Sequence, residues 1–320
     1  MEKSFLNNIT WKKIIWFWII LTCTTLFIIY AILNRDPSKL LLNHLESRYN
    51  KEFVIVYDGE RSDGIGSWYE AEIYPKELIG TIKENDTYYW AKGFVEAGEV
   101  GDTYGQVLLK ESANKFYLSK LEELFGKNVL PVIEIDDKFC KFTDFEKELE
   151  DLKKINAPMP ISGGIYIFGR VENDEDREWY RKQIYEFVQF MKQTGTFEYT
   201  AIAFNVLDER VLSKEFQENT KLQQELVDMG NKLVETNHSL YRQRKREIMS
   251  QLPKNLTPYI KMEDINKTDI VNTVSWSYYN NLLSLPLYSE KYIRANGLED
   301  TRRISKYEKV EDVFFTYEDY

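Results

Sequence analysis

Apolar and polar positions along the chain fall into three regimes. From Ile14 to Leu33 the chain is apolar, with no charged residue, Gly or Pro. A helix over 14–33, rising about 1.5 Å per residue, would cover roughly 30 Å, the hydrocarbon thickness of a bilayer. The pattern therefore predicts a single N-terminal transmembrane helix whose partner is the lipid bilayer. Thr22, Cys23, Thr24 and Thr25 suit such a helix, because short polar side chains bond to carbonyls one turn back.

From Pro37 onward the pattern switches between helical and extended periods. Leu40, Leu41 and Leu45 predict a helix from Pro37 to about Asn50. Phe53–Tyr57, Trp68–Tyr74 and Tyr88–Val95 read as strands, with a Gly-rich turn over 58–67. Tyr104–Phe125 reads as a long amphipathic helix that Gly126 ends. The strand within Asn128–Ile135 carries Pro131, which suits an edge or a strand start. Thr143 is expected to cap a helix over Asp144–Ile155. Gly163-Gly164, inside a strand over Ile161–Phe168, predicts a bulge or a close backbone approach. A helix over Glu178–Gln193 and a strand over Thr196–Val206 flank Gly195.

The third regime is a long helix near 213–252. Its Leu222, Leu226, Met229 and Leu233 step by four and three in a coiled-coil seam, which suits the chain's own core first and a homo- or hetero-oligomer face as the alternative. Beyond it the tail predicts a helix over Thr268–Leu283, a break at Pro286 and a final strand over Val310–Tyr317. The expected class is α+β: the membrane helix, then modules of antiparallel sheet and helix, then the long helix. The expected division is a leader over 1–13, the span over 14–33, a first module over 37–126 and a second over 127–320.

Charge and cysteine content narrow the setting. The whole chain carries −10. Residues 1–34 hold three lysines against Glu2, leaving −12 on the remainder. Such a surface disfavours nucleic acid as a partner. Lys3, Lys12 and Lys13 precede the apolar run, and Arg35, Lys39 and Arg48 follow it. Lys12-Lys13 abut the run while Arg35 is offset by Asp36, which favours an inside N-terminus and an extracytoplasmic remainder. The run is longer than a cleaved signal segment and ends without a small-x-small site, so a signal anchor at the cell membrane is expected. Cys140 is the lone cysteine beyond the span, so that part contains no internal disulfide. Together with heavy use of Lys, Asn, Ile and Tyr, this suits a Gram-positive cell surface.

Several stretches also carry a resemblance. A helix ending Leu45-Glu-Ser-Arg-Tyr-Asn-Lys-Glu-Phe53, a Tyr69…Tyr74-Pro75 strand, Gly101-Asp-Thr-Tyr104 and Leu124-Phe-Gly126 resemble a module of Firmicute membrane-anchored proteins and lipoproteins. In that family a Lys-Tyr-Gly-x-x-Phe turn joins a helix to a curved antiparallel sheet. Here Arg48-Tyr49-Asn50-Lys51 stands at the turn, Asn replacing Gly at a left-handed position. The resemblance implies a cystatin-like fold over about 37–126 and names no cofactor.

Candidate chemistry is sparse. His44 and His238 are the two histidines, and their spacing supports neither a metal site nor a nucleophile elbow. No phosphate-binding or dinucleotide glycine loop is present. Two carboxylates of a wall hydrolase could hide among 52 acidic residues. The acidic loop Glu172–Asp176 lacks the spacing of a calcium loop and suits a helix N-terminus. Tyr241-Arg-Gln-Arg-Lys-Arg246 is the dense basic run. Near the C-terminal end of its helix these cations complement the macrodipole, and the sharper alternative makes Arg242, Arg244, Lys245 and Arg246 contacts for an anionic partner. The reading that follows is a membrane-tethered, extracytoplasmic, non-enzymatic protein-binding module. Family analogy adds an accessory or immunity role in a secretion or toxin system. The alternatives are a carboxylate-dependent cell-wall hydrolase and a cytoplasmic-facing membrane-bound regulator.

Overall fold

Residues 15–26 lie in helix α1, whose Thr22, Thr24 and Thr25 hydroxyls donate to Trp18, Ile20 and Leu21 carbonyls at 2.8, 2.7 and 2.8 Å. The computed structural model describes residues 11, 15–26, 36–135, 142–233, 238–254, 256–272, 281–299, 301, 308–310 and 313–315. Among these, no helix is long and apolar enough to cross a membrane. Ile14 and residues 27–33 lie outside the described residues. The expected 14–33 span, and with it the single-pass signal-anchor reading, is corrected accordingly.

The chain divides into two units, one comprising 1–77 with 92–102 and the other 78–91 with 103–320. In the first unit, Asp36 caps helix α2 (Pro37–Tyr49) by accepting the Ser38 N–H at 3.1 Å. Pro37 occupies the first turn, where a missing N–H is harmless. Asn50 ends the helix in the left-handed region, at φ 54°. Leu41 and Leu45, one turn apart, are fully buried. The sheet of this unit runs in the order β1 (Phe53–Ser62), β2 (Ser67–Pro75), β3 (Ala91–Glu96), β4 (Glu99–Asp102). Along β2, Tyr69, Ala71 and Ile73 are buried while Trp68, Glu70 and Glu72 are half-exposed, the alternation expected of a sheet with one wet face. β1 runs five residues past its expected end. The Gly-rich segment is thus a tight hairpin instead of a ten-residue turn.

Asp102 fastens α2 to β4. Its carboxylate has no solvent exposure and accepts from His44 Nε2 at 3.2 Å, Arg48 at 3.1 Å and the Tyr49 hydroxyl at 2.7 Å. Three donors from one helix face thereby fix the helix over the sheet. Asp102→Ala strands those donors, and a loss of about 2 kcal/mol is expected. Arg48 is half-exposed and water will screen its share. Urea unfolding of the variant beside wild type checks this, and equal midpoints would remove Asp102 from the account.

In the second unit, helix α3 (Tyr104–Phe125) precedes a six-stranded sheet ordered β5-β6-β7-β8-β10-β9. These strands are β5 (Val129–Ile135), β6 (Ile161–Gly169), β7 (Thr200–Asp208), β8 (Asn281–Ser289), β9 (Glu308–Val310) and β10 (Val313–Phe315). β6 and β7 are parallel, linked through α5 (Asp174–Thr194), and the other described pairings are antiparallel. α4 (Phe145–Lys154) is capped by Asp144, one residue after the expected Thr143. One face of the sheet packs Ile133, Ile165 and Phe204 against Leu109, Tyr117, Phe145 and Phe187 from α3, α4 and α5. The other face packs Val132, Tyr166 and Phe168 against residues beyond 210. Burial on both faces explains why β5 and β6 read as continuous apolar runs. α3 contributes to this core, so residues 78–91 and 103–126 group with the second unit, and the cystatin-like expectation over 37–126 is not confirmed.

The long helix is also corrected. The described residues of 213–252 include α6 (Lys214–Glu218), α7 (Thr220–Leu233) and α8 (His238–Met249), with Asn219 capping α7 through the Leu222 N–H at 3.0 Å. Leu222, Leu226 and Met229 are buried and Leu233 partly buried in the chain's own core, with Tyr241 and Ile248 of α8. In the tail, α9 covers Lys267–Asn272 among the described residues, and 273–280 lie outside them. Leu283, Leu285 and Leu287 then alternate along β8, where a helix to Leu283 and a break at Pro286 were expected. Pro286 lies opposite Ala203, and the described pairing with β10 begins at Leu287. α10 (Glu290–Ala295) follows, and β9 pairs with β10 as two short strands in place of one.

Candidate functional site

Two tight turns, Ile82–Asn85 and Thr87–Tyr89, bring Asp86 against the start of α9, both within the second unit. The Asp86 side chain accepts the Tyr88 N–H at 3.0 Å, as an Asx cap does. It also accepts the backbone N–H groups of Lys267 and Thr268 at 2.6 and 3.0 Å and the Thr268 hydroxyl at 2.6 Å. Asp86 is 1% exposed, so these donors replace its water. The Thr87 and Thr268 hydroxyls lie 3.0 Å apart, and Asn266 donates to the Asn85 carbonyl at 3.3 Å.

This clasp holds the Lys267 side chain inward. Its ammonium is 2.6 Å from Glu111 of α3 and lies 4.4 Å from the Tyr88 ring and 5.2 Å from the Tyr89 ring. Burial pushes the Lys267 amine below the ordinary lysine range, and Glu111 opposes that shift. Burial and then Glu111 push Tyr88 and Tyr89 up, so both remain phenols. Lys267 and Glu111 thus form a close pair walled by the two tyrosine rings.

The same residues close the edge of the sheet. Tyr88 donates its hydroxyl to the Ile133 carbonyl at 3.2 Å and accepts from Asn114. Asn114 accepts the Ile133 N–H at 3.0 Å. Pro131, two positions away along β5, has no N–H to leave open. An edge strand that would invite pairing is thus capped by side chains. Pro131 does sit on an edge strand, as its ring implied.

Beside this cluster lies a cleft of about 630 Å³. Leu118, Ile260 and Met262 give it half-buried apolar walls. Five lysines and three glutamates line it. Lys267 pairs with Glu111, and Lys261 pairs with Glu263 at 3.4 Å. Lys83, Lys115 and Lys127 have no ion pair among the described residues, which leaves three cations against Glu122. The Lys83 ammonium rests 4.5 Å from the Tyr89 ring. The arrangement is cationic and apolar-walled inside an acidic chain, and suits an anion carried on an apolar segment.

Of the residues singled out from sequence, the structure disperses the basic run. Lys245 is 3% exposed and donates to the Asn281 carbonyl, joining α8 to β8. Arg244 is exposed and pairs with Glu247 at 2.8 Å, and Arg246 is exposed. The Arg242 side chain lies outside the described residues, as do Cys140 and the His238 side chain. In the acidic loop, Asn173 and Asp176 form a capping box at the start of α5. Among the described residues no group of three or more His, Cys, Asp or Glu side chains is placed to hold a metal ion.

Sequence reading missed Lys83, Lys115, Lys127, Lys267, Glu111 and the Asp86 clasp. One faint signal existed. Asn85-Asp-Thr87 and Asn266-Lys-Thr268 are two of five Asn-x-Ser/Thr triplets, and these two meet face to face.

No family model matches the chain, and no curated protein does. Among solved structures it is similar to a DUF5037 family protein from Ruminococcus gnavus ATCC 29149, at 19% identity and a TM-score of 0.34. That match covers 58% of this chain and 79% of the other. At that score it carries no argument about function and does not confirm the cystatin-like expectation.

Proposed function

We propose that the protein is a non-enzymatic binding protein that takes an acidic segment of a partner polypeptide into the cleft between α3, β5 and the segment leading to α9. The observation that carries this is the set of three lysines without ion pairs among the described residues, around apolar walls, in a chain whose net charge is −10. Exposed ion pairs contribute only about 0–1 kcal/mol each, so affinity depends on their acting together with burial of an apolar side chain. Charge then sets selectivity and rate, and binding weakens as salt rises.

A fluorescein-labelled peptide of alternating Glu and Leu, titrated with the full chain and read by anisotropy, tests this. Lys115→Glu combined with Lys127→Glu should weaken its binding at least about tenfold, since two attractions become repulsions. A peptide with Lys in place of Glu should not bind. Equal binding of the two peptides, or indifference to the double variant, would sink the proposal.

A further inference from the structure

Ile65 is 97% exposed at the tip of the β1–β2 hairpin, the highest exposure among the chain's large hydrophobic side chains that are described. The tip is held in one shape by a local hydrogen-bond set. Asp63 Oδ1 accepts the N–H groups of Ile65 and Gly66, both at 2.9 Å. The Ser62 hydroxyl donates to the Gly66 carbonyl at 2.8 Å, and the Asp63 N–H donates to the same oxygen at 3.3 Å. Ordering the backbone that presents an aliphatic side chain to water gains nothing within the chain, since Ile65 buries almost no area. The cost is recovered when the side chain enters an apolar site already shaped.

The flanking charges say which kind of site. Arg61 is turned toward Glu70 at 3.8 Å. Glu60 has no ion pair among the described residues, and Asp63 uses only one carboxylate oxygen in the turn. The tip is therefore an apolar knob with two outward carboxylates. Its chemical complement is a cleft with apolar walls and unpaired lysines. An anionic lipid surface would repel the same carboxylates.

We infer that the acidic segment taken by the cleft is the Ile65 hairpin of a second copy of the chain, so that the protein self-associates through two different patches. This rests on the acidic-segment reading of the cleft and names the segment. A contact of knob with cleft is heterologous, closing into a ring or running on as an open chain according to the rotation it imposes. One apolar side chain and a few charges make a small interface, hence a weak and reversible one.

Sedimentation velocity of the full chain over a rising concentration series tests the inference. Wild type should show a concentration-dependent increase in sedimentation coefficient that diminishes with added salt. Ile65→Ser, at a fully exposed position that folding does not use, should weaken association roughly ten- to hundredfold. Lys115→Glu with Lys127→Glu should weaken it comparably. The Glu–Leu peptide should compete with association in wild type and should still bind Ile65→Ser. Association through the exposed apolar side chains of α1 would instead strengthen with salt and ignore both variants, which overturns the inference. Wild type that stays monomeric while binding the peptide overturns it too, leaving the cleft reading intact. Loss of peptide binding as well removes the cleft reading beneath it.

Discussion

Asp86→Ala is expected to destabilise the protein by about 3–5 kcal/mol, a large share of the stability of an ordinary domain. The carboxylate is 1% exposed and accepts four bonds: two from the N-terminal backbone of α9, one from the Thr268 hydroxyl and one from the Tyr88 N–H. Alanine removes the acceptor of the Lys267 and Thr268 N–H groups, while the Tyr88 N–H keeps the Thr268 hydroxyl at 2.8 Å and that hydroxyl keeps Thr87 at 3.0 Å. A buried donor left unmade costs more than a made bond contributes. The Lys267 and Thr268 N–H groups open α9 and have no intrahelical acceptor, so Asp86 supplies the acceptor of its first turn. The Lys267 side chain, carried on that turn, then loses its placement against Glu111. Asp86→Asn retains one acceptor oxygen and should cost clearly less than alanine. Urea unfolding of the three proteins checks the order, and an alanine variant within about 0.5 kcal/mol of wild type would show the clasp to be incidental.

Gly163→Ala should cost about 2–4 kcal/mol for a different reason. Gly163 sits at φ +119°, and an added Cβ would fall 2.2 Å from the Val132 carbonyl oxygen on β5. That oxygen is backbone, so relief requires moving a strand that is buried on both faces. Gly164 provides the internal control. Its φ is not in the positive region, and an added Cβ meets the Tyr166 side chain at 2.9 Å, which a rotation can relieve. Gly164→Ala should therefore destabilise less than Gly163→Ala. Thermal unfolding of both variants measures the difference, and the reverse order would contradict the close-approach account.

The two cases mark different depths of legibility. Gly163-Gly164 in an apolar run announced a close approach, because glycine inside a strand weakens it unless something needs the space. What needed the space, and which of the pair it was, required the β5–β6 register. Lys245 is a case where more was readable than was used. Tyr241, Lys245 and Ile248 follow the spacing of one helix face, so Lys245 fell on the apolar stripe while its neighbours turned outward. The density of charge in the run obscured that phase.

By itself the sequence determined the local elements whose signals are local. Pro37 with Asn50 bounded α2, Gly126 ended α3, and Gly195 ended α5 in the left-handed region at φ 73°. These rest on single-residue stereochemistry, which neighbours cannot readily override. Tertiary structure alone decided that α3 joins the second unit, that 213–252 breaks into three helices, and that Leu283 to Leu287 is strand. An apolar run buried on two faces has no visible period, so its partner decides its conformation. Tertiary structure alone also decided the candidate site. Lys83, Lys115, Lys127 and Lys267 are far apart in a chain with 42 basic residues, and nothing local distinguishes them. Whether a lysine is paired or free depends on which carboxylates the fold brings within reach, and Coulomb attraction acts through space instead of along the chain.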